Sequence, residues 1–524
     1  MATFKLTYAT MFNPPEELHS QFEAALAKIT ANLGKDHPMF INGKDVFAAE
    51  KFENRNPANT DVVLGTFQKG TAADAGAAIA AAKAAFPTWS RTPWQERVAL
   101  LRKVADLIDA RLMEFGAVVA LEVGKNRMEA LGDVAETADL IRYACDQVEA
   151  NHGFIIPMGR DPLVGYKSTN TSVLRPYGVW LVVSPFNFPC ALTGGPLGAA
   201  LVAGNTVVFK PATDTPWTSR VLAEILRDAG LPAGVFNFVT GPGSTIGQAL
   251  IEHPDVAGIT FTGSYPVGMK IFRDFANGKW ARPCILELGG KNCTIVSKHA
   301  DLELAAIGLI RSAFGLQGQK CSASSRILIE APIYDKLVAK LIEMTEKLVI
   351  GNPVERPVYL GPVVNKSSFR EFQEFCADLR QNGKILTGGN IIANGTFAKG
   401  YFCQPTLAEA PIGHRLWKQE MFLPISTIAK INSIEEGMKI ANDVDYGLTA
   451  GFYGTPEESA WFFDQIEAGV CYANRPQGAS TGAWPGFQTF GGWKASGSSG
   501  KNAGGPYYVQ LYMHEQSRTI IEKA

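Results

Sequence analysis

The spacing of apolar positions changes near residue 178 and divides the chain into two textures. Before that point, apolar residues recur at i, i+3, i+4 and i+7, which predicts helices over 16–34, 72–86, 95–123 and 127–150. After it, short runs rich in Val, Ile and Phe alternate with helical stretches. Strands are expected at 179–184, 206–209, 235–240 and 258–262, with helices over 219–229 and from Ser244 and Pro266. Runs that are apolar on both faces suit strands buried between helices, so the alternation predicts a doubly wound parallel sheet. A second α/β series follows Glu287, with strands near 293–297, 326–330 and 425–431 and helices near 302–313, 334–348 and 434–441. The stretch 153–176 and the tail 504–519 look extended, either as loops or as arms that pair with another subunit.

At 524 residues the chain is long enough for two or three domains. Lys and Arg number 49 against 50 Asp and Glu, so no net field invites nucleic acid or an anionic membrane, and neither is expected as a partner. No apolar run reaches membrane-spanning length. The eight cysteines are scattered without a C-x-x-C pair, which argues against a metal site or disulfide framework and for a reducing compartment. Glu16 and Glu17 lie near the N-terminus and the first arginine is Arg55, unlike a secretory or Arg-rich transit signal; the cytoplasm is the expected location.

Candidate chemistry centres on Cys321, in the run F-G-L-Q-G-Q-K-C-S over 314–322. Glycines clear the approach to a sulfur, and Lys320 would favour thiolate if it turned inward. The other seven cysteines read as inert. Glu287 ends an apolar strand just before Gly289 and Gly290; it is either a desolvated base for water or a strand-end carboxylate facing solvent or Lys291. Asn187, in S-P-F-N-F-P after the first strand, is either an oxyanion donor or the cap of a turn between prolines. Lys210 closes the next strand, either beside a ribose or phosphate or as a solvated loop charge. Two glycine-bearing strand-to-helix turns, 241–247 and 261–268, suit phosphate, although neither is a G-x-G-x-x-G. Glu420 and Phe422 offer an acceptor and a ring, and the aromatic loop 481–492 suits a substrate entrance. A cysteine hydrolase would need a histidine base, and no histidine motif adjoins Cys321.

In order along the chain these motifs resemble the aldehyde dehydrogenase superfamily, from about Pro38 to Thr519. The family's catalytic Asn falls on Asn187, the Glu of its E-L-G-G-K on Glu287 and the nucleophile of its G-Q-x-C on Cys321. Its ribose-binding Lys matches Lys210, its F-T-G-S turn Phe261, Thr262, Gly263 and Ser264, and its E-x-F-x-P element Glu420, Phe422 and Pro424. Within the superfamily the chain is most similar to the L-glutamate γ-semialdehyde (1-pyrroline-5-carboxylate) dehydrogenases, through Val123–Asn126, Gly318–Ala323, Asn474-Arg475, Thr481–Ala483 and Phe490–Gly492.

The resemblance implies an aldehyde dehydrogenase-like α/β fold. Its NAD(P)-binding domain would comprise 1–152 and 177–286, its catalytic domain 287–480, and its oligomerisation arms 153–176 and 503–524. It implies NAD or NADP held by Ser184, Pro185, Phe186, Lys210, Thr213, Gly243, Gly247, Phe261–Ser264, Leu288, Glu420 and Phe422. The substrate would be a small carboxylated aldehyde, with its carboxylate on Ser322, Gly482 and Ala483 and its aliphatic part between Phe186 and Phe490. A homodimer or larger homo-oligomer is implied. Other small semialdehydes, a CoA-acylating reaction and an inactive binding protein with this fold are the alternatives. Two departures stand out: 476–480 lengthens the connection before the anchor loop, and Thr213 replaces the Glu that repels a 2′-phosphate in NAD-preferring members.

Overall fold

The computed structural model describes residues 5–524. Its first layer is a seven-stranded sheet in the order Cys284–Glu287, Val256–Thr262, Val179–Val183, Thr206–Lys210, Phe236–Phe238, Met39–Ile41, Lys44–Val46. The first five strands are parallel, and an antiparallel hairpin closes the edge. Their burial on both faces is why they read as unbroken apolar runs. After Phe236–Phe238 the chain crosses to the far side of Val179–Val183, so the strand order reverses there and leaves a crevice beyond the strands' carboxyl ends.

The second layer has the order Lys384–Thr387, Thr406–Glu409, Ile425–Ile431, Ser324–Glu330, Asn292–Val296, Thr449–Tyr453, Val470–Ala473. All its pairings are parallel except that of the edge strand Lys384–Thr387.

Helices pack on both layers. Thr71 opens Ala72–Trp89 with a reciprocal capping box to Asp74. The single helix expected over 95–123 is two, Trp94–Ala110 and Leu112–Val123, because Arg111 leaves helical backbone angles at φ −106° and ψ 12°. The first packs on Arg127–Ala150 and the second also on Glu16–Thr30, so the break lets one apolar stretch serve two directions. An antiparallel ribbon, Lys51–Asn56 with Asn59–Gln68, occupies a region where periodicity predicts nothing.

The two extended stretches pair with each other. Tyr166–Pro176 runs antiparallel to Met513–Lys523 in continuous register from Pro176↔Met513 to Tyr166↔Lys523. The span 503–524 is therefore not one arm: Tyr508, Val509 and Tyr512 are buried in the core of the first layer. Tyr512 there receives a hydrogen bond from Thr260 Oγ1 at 3.1 Å, and only the strand beyond it projects.

Candidate active site

The carboxyl ends of the central parallel strands bring the first group together. Val183 is in register with Lys210 and with Phe261, and Thr262 with Glu287, so four strands end along one rim. Above the rim lies a cleft of about 2030 Å³. Every residue expected to hold the cofactor lines it, from Ser184 through Thr213, Gly243, Gly247 and the Phe261–Ser264 turn to Leu288, Glu420 and Phe422. Helix Tyr265–Ala276 starts at this wall, and its first-turn amide groups carry the positive end of the helix dipole.

The cleft's polar groups are short of partners. Among the described residues, Ser184 Oγ is buried without a hydrogen bond, and the buried Lys210 amine donates only to its neighbour Pro211 O at 2.9 Å. Burial pulls the Lys210 amine down to about 8. Glu420 accepts from the Gly290 N–H at 2.8 Å, and burial raises its carboxyl to about 7. A Cβ on Gly289 would stand 2.2 Å from a Glu420 oxygen, so a side chain there would push the Glu420 carboxylate aside. Phe422, at φ 56°, packs edge-on to Phe186 at 5.8 Å. Hydroxyl, ammonium and carboxylate groups around apolar walls fit a dinucleotide with two riboses and a pyrophosphate.

A second cavity lies on the other side of Cys321, which lines both spaces. Ser322, Gly482, Ala483 and Phe490 line this chamber as expected positions for a substrate. Phe186 does not. It faces the cofactor cleft, while Phe188 lines the chamber, because the chain bends at Asn187 and sends the two rings to opposite sides.

Cys321 follows a turn, Gly315–Gly318, in which Leu316, Gln317 and Gly318 all have positive φ. Side chains from elsewhere fix this loop. Glu129 accepts from Leu316 N at 2.8 Å and pairs with Lys320 at 2.6 Å, and Gln317 donates to Gly124 O and Pro362 O. Asn292 holds the Cys321 carbonyl at 2.6 Å. Lys320 therefore spends its charge on Glu129 rather than on the thiol. Burial, with Glu420 and Glu287 nearby, pushes the Cys321 thiol up to about 12, so attack requires a base to remove its proton.

Glu287, a buried carboxylate, lines the cofactor cleft together with Cys321. Burial raises its carboxyl to about 8, and its Oε2 has no hydrogen-bond partner among the described residues. It is neither solvated nor paired with Lys291, whose own amine is buried and has no partner among the described residues. Asn187 is buried and donates to Gln319 O at 3.0 Å, which aims its amide at the nucleophile loop. A sulfur between two cavities, with a carboxylate and an amide donor beside it, can add to a carbonyl, stabilise the oxyanion and hydrolyse the product. Glu129 carries no motif that would mark it in the sequence, whereas Phe188 lies within S-P-F-N-F-P and Asn292 directly follows E-L-G-G-K, signals that could have found both.

This chain belongs to the aldehyde dehydrogenase family, whose model matches residues 46–517. That places it among oxidoreductases acting on aldehydes. It is 39% identical over 510 residues to the 1-pyrroline-5-carboxylate dehydrogenase of Geobacillus thermodenitrificans, covering 96% of this chain and 96% of that one. It is similar, with a TM-score of 0.92 and 34% identity over 100% of both chains, to a Thermus 1-pyrroline-5-carboxylate dehydrogenase with bound NAD. Against proline utilization A from Bdellovibrio bacteriovorus the TM-score is 0.91 at 34% identity, covering 97% of this chain and 52% of that one. Among the described residues no helix is long and apolar enough to cross a membrane, and no metal-ligating cluster occurs.

Proposed function

We propose that this chain oxidises L-glutamate γ-semialdehyde to glutamate with NAD or NADP, a step of proline catabolism. The observation that carries the reading is the position of Cys321 in the wall common to both cavities, with Ser322, Gly482 and Ala483 around the chamber. The named relatives support the same substrate.

Cys321 gives up its proton to solvent in the chamber and its sulfur attacks the aldehyde carbon. The Asn187 amide and the Cys321 backbone N–H hold the oxyanion that forms. When bound, the nicotinamide supplies the hydride acceptor. Loss of hydride from the carbon leaves an acyl thioester on Cys321. Glu287 takes a proton from water, hydroxide adds to the thioester, and the carboxylate departs as the thiolate is released. Lys210 and Glu420 serve ribose hydroxyls, and the Gly263–Ser264 turn serves the pyrophosphate. Thr213 carries no charge against a 2′-phosphate, so both nucleotides are admitted.

Presence of Glu287 favours water over a thiol as acyl acceptor. The exposed strand Met513–Lys523 forms one edge of its sheet and carries exposed Ile520 and Ile521, which suits pairing with a second copy in a cytoplasmic homo-oligomer. A rate panel of glutamate γ-semialdehyde, other semialdehydes and uncharged aldehydes, each with NAD and with NADP, tests the substrate. Preference for uncharged short aldehydes by a wide margin would reject the carboxylate anchor, and a strict CoA requirement would reject hydrolysis.

A further inference from the structure

The chamber is closed away from the cofactor by a segment that takes no part in the chemistry, residues 6–12 ahead of the first helix. Tyr8, Met11 and Phe12 all line the chamber. Tyr8 and Met11 are buried while Ala9 and Thr10 between them are exposed, so the segment turns one face inward and the other to water. A tight turn fixes that alternation: Met11 N donates to Thr7 O at 3.0 Å and Thr10 Oγ1 to Lys5 O at 2.7 Å.

Its inward contacts are directed. The Tyr8 phenol donates to Glu136 Oε2 at 2.6 Å, and the ring stands edge-on to Trp484 at 5.3 Å and Phe188 at 6.3 Å. The Phe12 ring lies 3.5 Å from the guanidinium carbon of Arg311, itself a chamber residue. Beyond Tyr8 is another hollow, of about 520 Å³, lined by Thr7, Arg475 and Gln488. Tyr8 and Gly482 face both spaces, which makes the Tyr8 ring a partition between them.

We propose that residues 6–12 form the outer wall of the substrate chamber and that the Tyr8 ring is its length stop, selecting short aldehydes over long ones. This rests on the reading that the chamber takes the aldehyde. Without the ring, a longer chain would run from Cys321 past Gly482 into the adjoining hollow.

The test compares Tyr8→Ala and Tyr8→Phe with wild type on unbranched aldehydes from propanal to decanal. In Tyr8→Ala the decanal-to-propanal ratio of kcat/KM should rise at least about tenfold, the value of a few methylenes in an apolar site. Tyr8→Phe should keep the wild-type ratio, since the ring and not the hydroxyl is the stop. A second readout needs no turnover. With NAD saturating the other cleft, alkylation of Cys321 is followed by peptide mass using N-methylmaleimide and N-benzylmaleimide, and Tyr8→Ala should favour the bulky reagent. Thermal melting checks folding, and Phe12→Ala replaces Tyr8→Ala if the latter is unfolded. Ratios unchanged in both readouts overturn the wall. If wild type oxidises none of these uncharged aldehydes, a strict need for a carboxylated substrate accounts for it, failure on glutamate γ-semialdehyde as well would reject the proposed chemistry, and the alkylation ratio decides the wall.

Discussion

The cofactor cleft and the substrate chamber share Cys321 but are assembled in opposite ways. The cleft is walled largely by the ends of adjacent parallel strands and the turns that leave them. The chamber gathers Tyr8, Glu129, Phe188, Arg311, Tyr359 and Gly482 from segments scattered over most of the chain. A cleft at strand ends inherits its geometry from backbone pairing, whereas a chamber of convergent side chains depends on how helices and loops dock. Nucleotide binding is therefore the robust property, and substrate choice the adjustable one.

Cys321→Ala tests whether the two spaces separate. Turnover should fall at least about 10⁴-fold for loss of the nucleophile, while NAD affinity by calorimetry stays near wild type. Collapse of both would mean that the cleft depends on the chamber after all. Next, Glu287→Gln should lower kcat by about 10²–10⁴-fold, as loss of a general base does, yet keep the first-turnover burst of reduced cofactor. Burial holds the Glu287 carboxyl at about 8, above its ordinary 4.5, so hydrolysis in the wild type should rise with pH toward about 8 and the variant should lose that limb. The sign for stability is opposite. The folded state holds this proton more tightly, so wild type loses stability between those two values and the variant should melt higher above pH 8.

On the chamber side, Glu129→Ala strands the buried Lys320 ammonium and should cost about 3–5 kcal/mol of stability by denaturant titration. It should also lower kcat by about tenfold through the loosened Cys321 loop, with Glu129→Gln recovering part of it. Unchanged kcat would show that the loop holds itself. The smallest effect is expected from Ser322→Ala. KM for a carboxylated aldehyde should rise by about tenfold, the worth of one hydrogen bond to a charged group, with uncharged aldehydes unaffected.

The same contrast governs what the sequence reveals. Helix Arg127–Ala150 and strand Ile425–Ile431 follow their periodic patterns end to end, because each buries a face or both faces against regular neighbours. Glu287 and Lys210 are legible because a polar residue closing an apolar strand marks the rim of a sheet. Helix Lys366–Asn382 escapes notice although Phe372, Phe375, Cys376 and Leu379 supply a buried stripe, since the remaining positions are almost all polar. Glu129 has no local mark at all. Its partner Lys320 lies 191 residues away, and only docking of the two layers makes that carboxylate part of the site. Phe186 is misplaced for a related reason: a bend between two aromatic residues decides which cavity each ring enters, and composition is silent about bends.

The left-handed turn before Cys321 has a consequence for the order of events in time. Leu316 and Gln317 adopt backbone angles that side-chain-bearing residues avoid, and the bonds that hold them there come from Glu129 and Gly124 in one layer and Pro362 in the other. A lone second layer lacks two of those three anchors, so the reactive geometry arises only after the halves meet. During refolding, regained turnover should trail regained helical signal, and a chain caught before docking carries an ordinary, unaligned thiol.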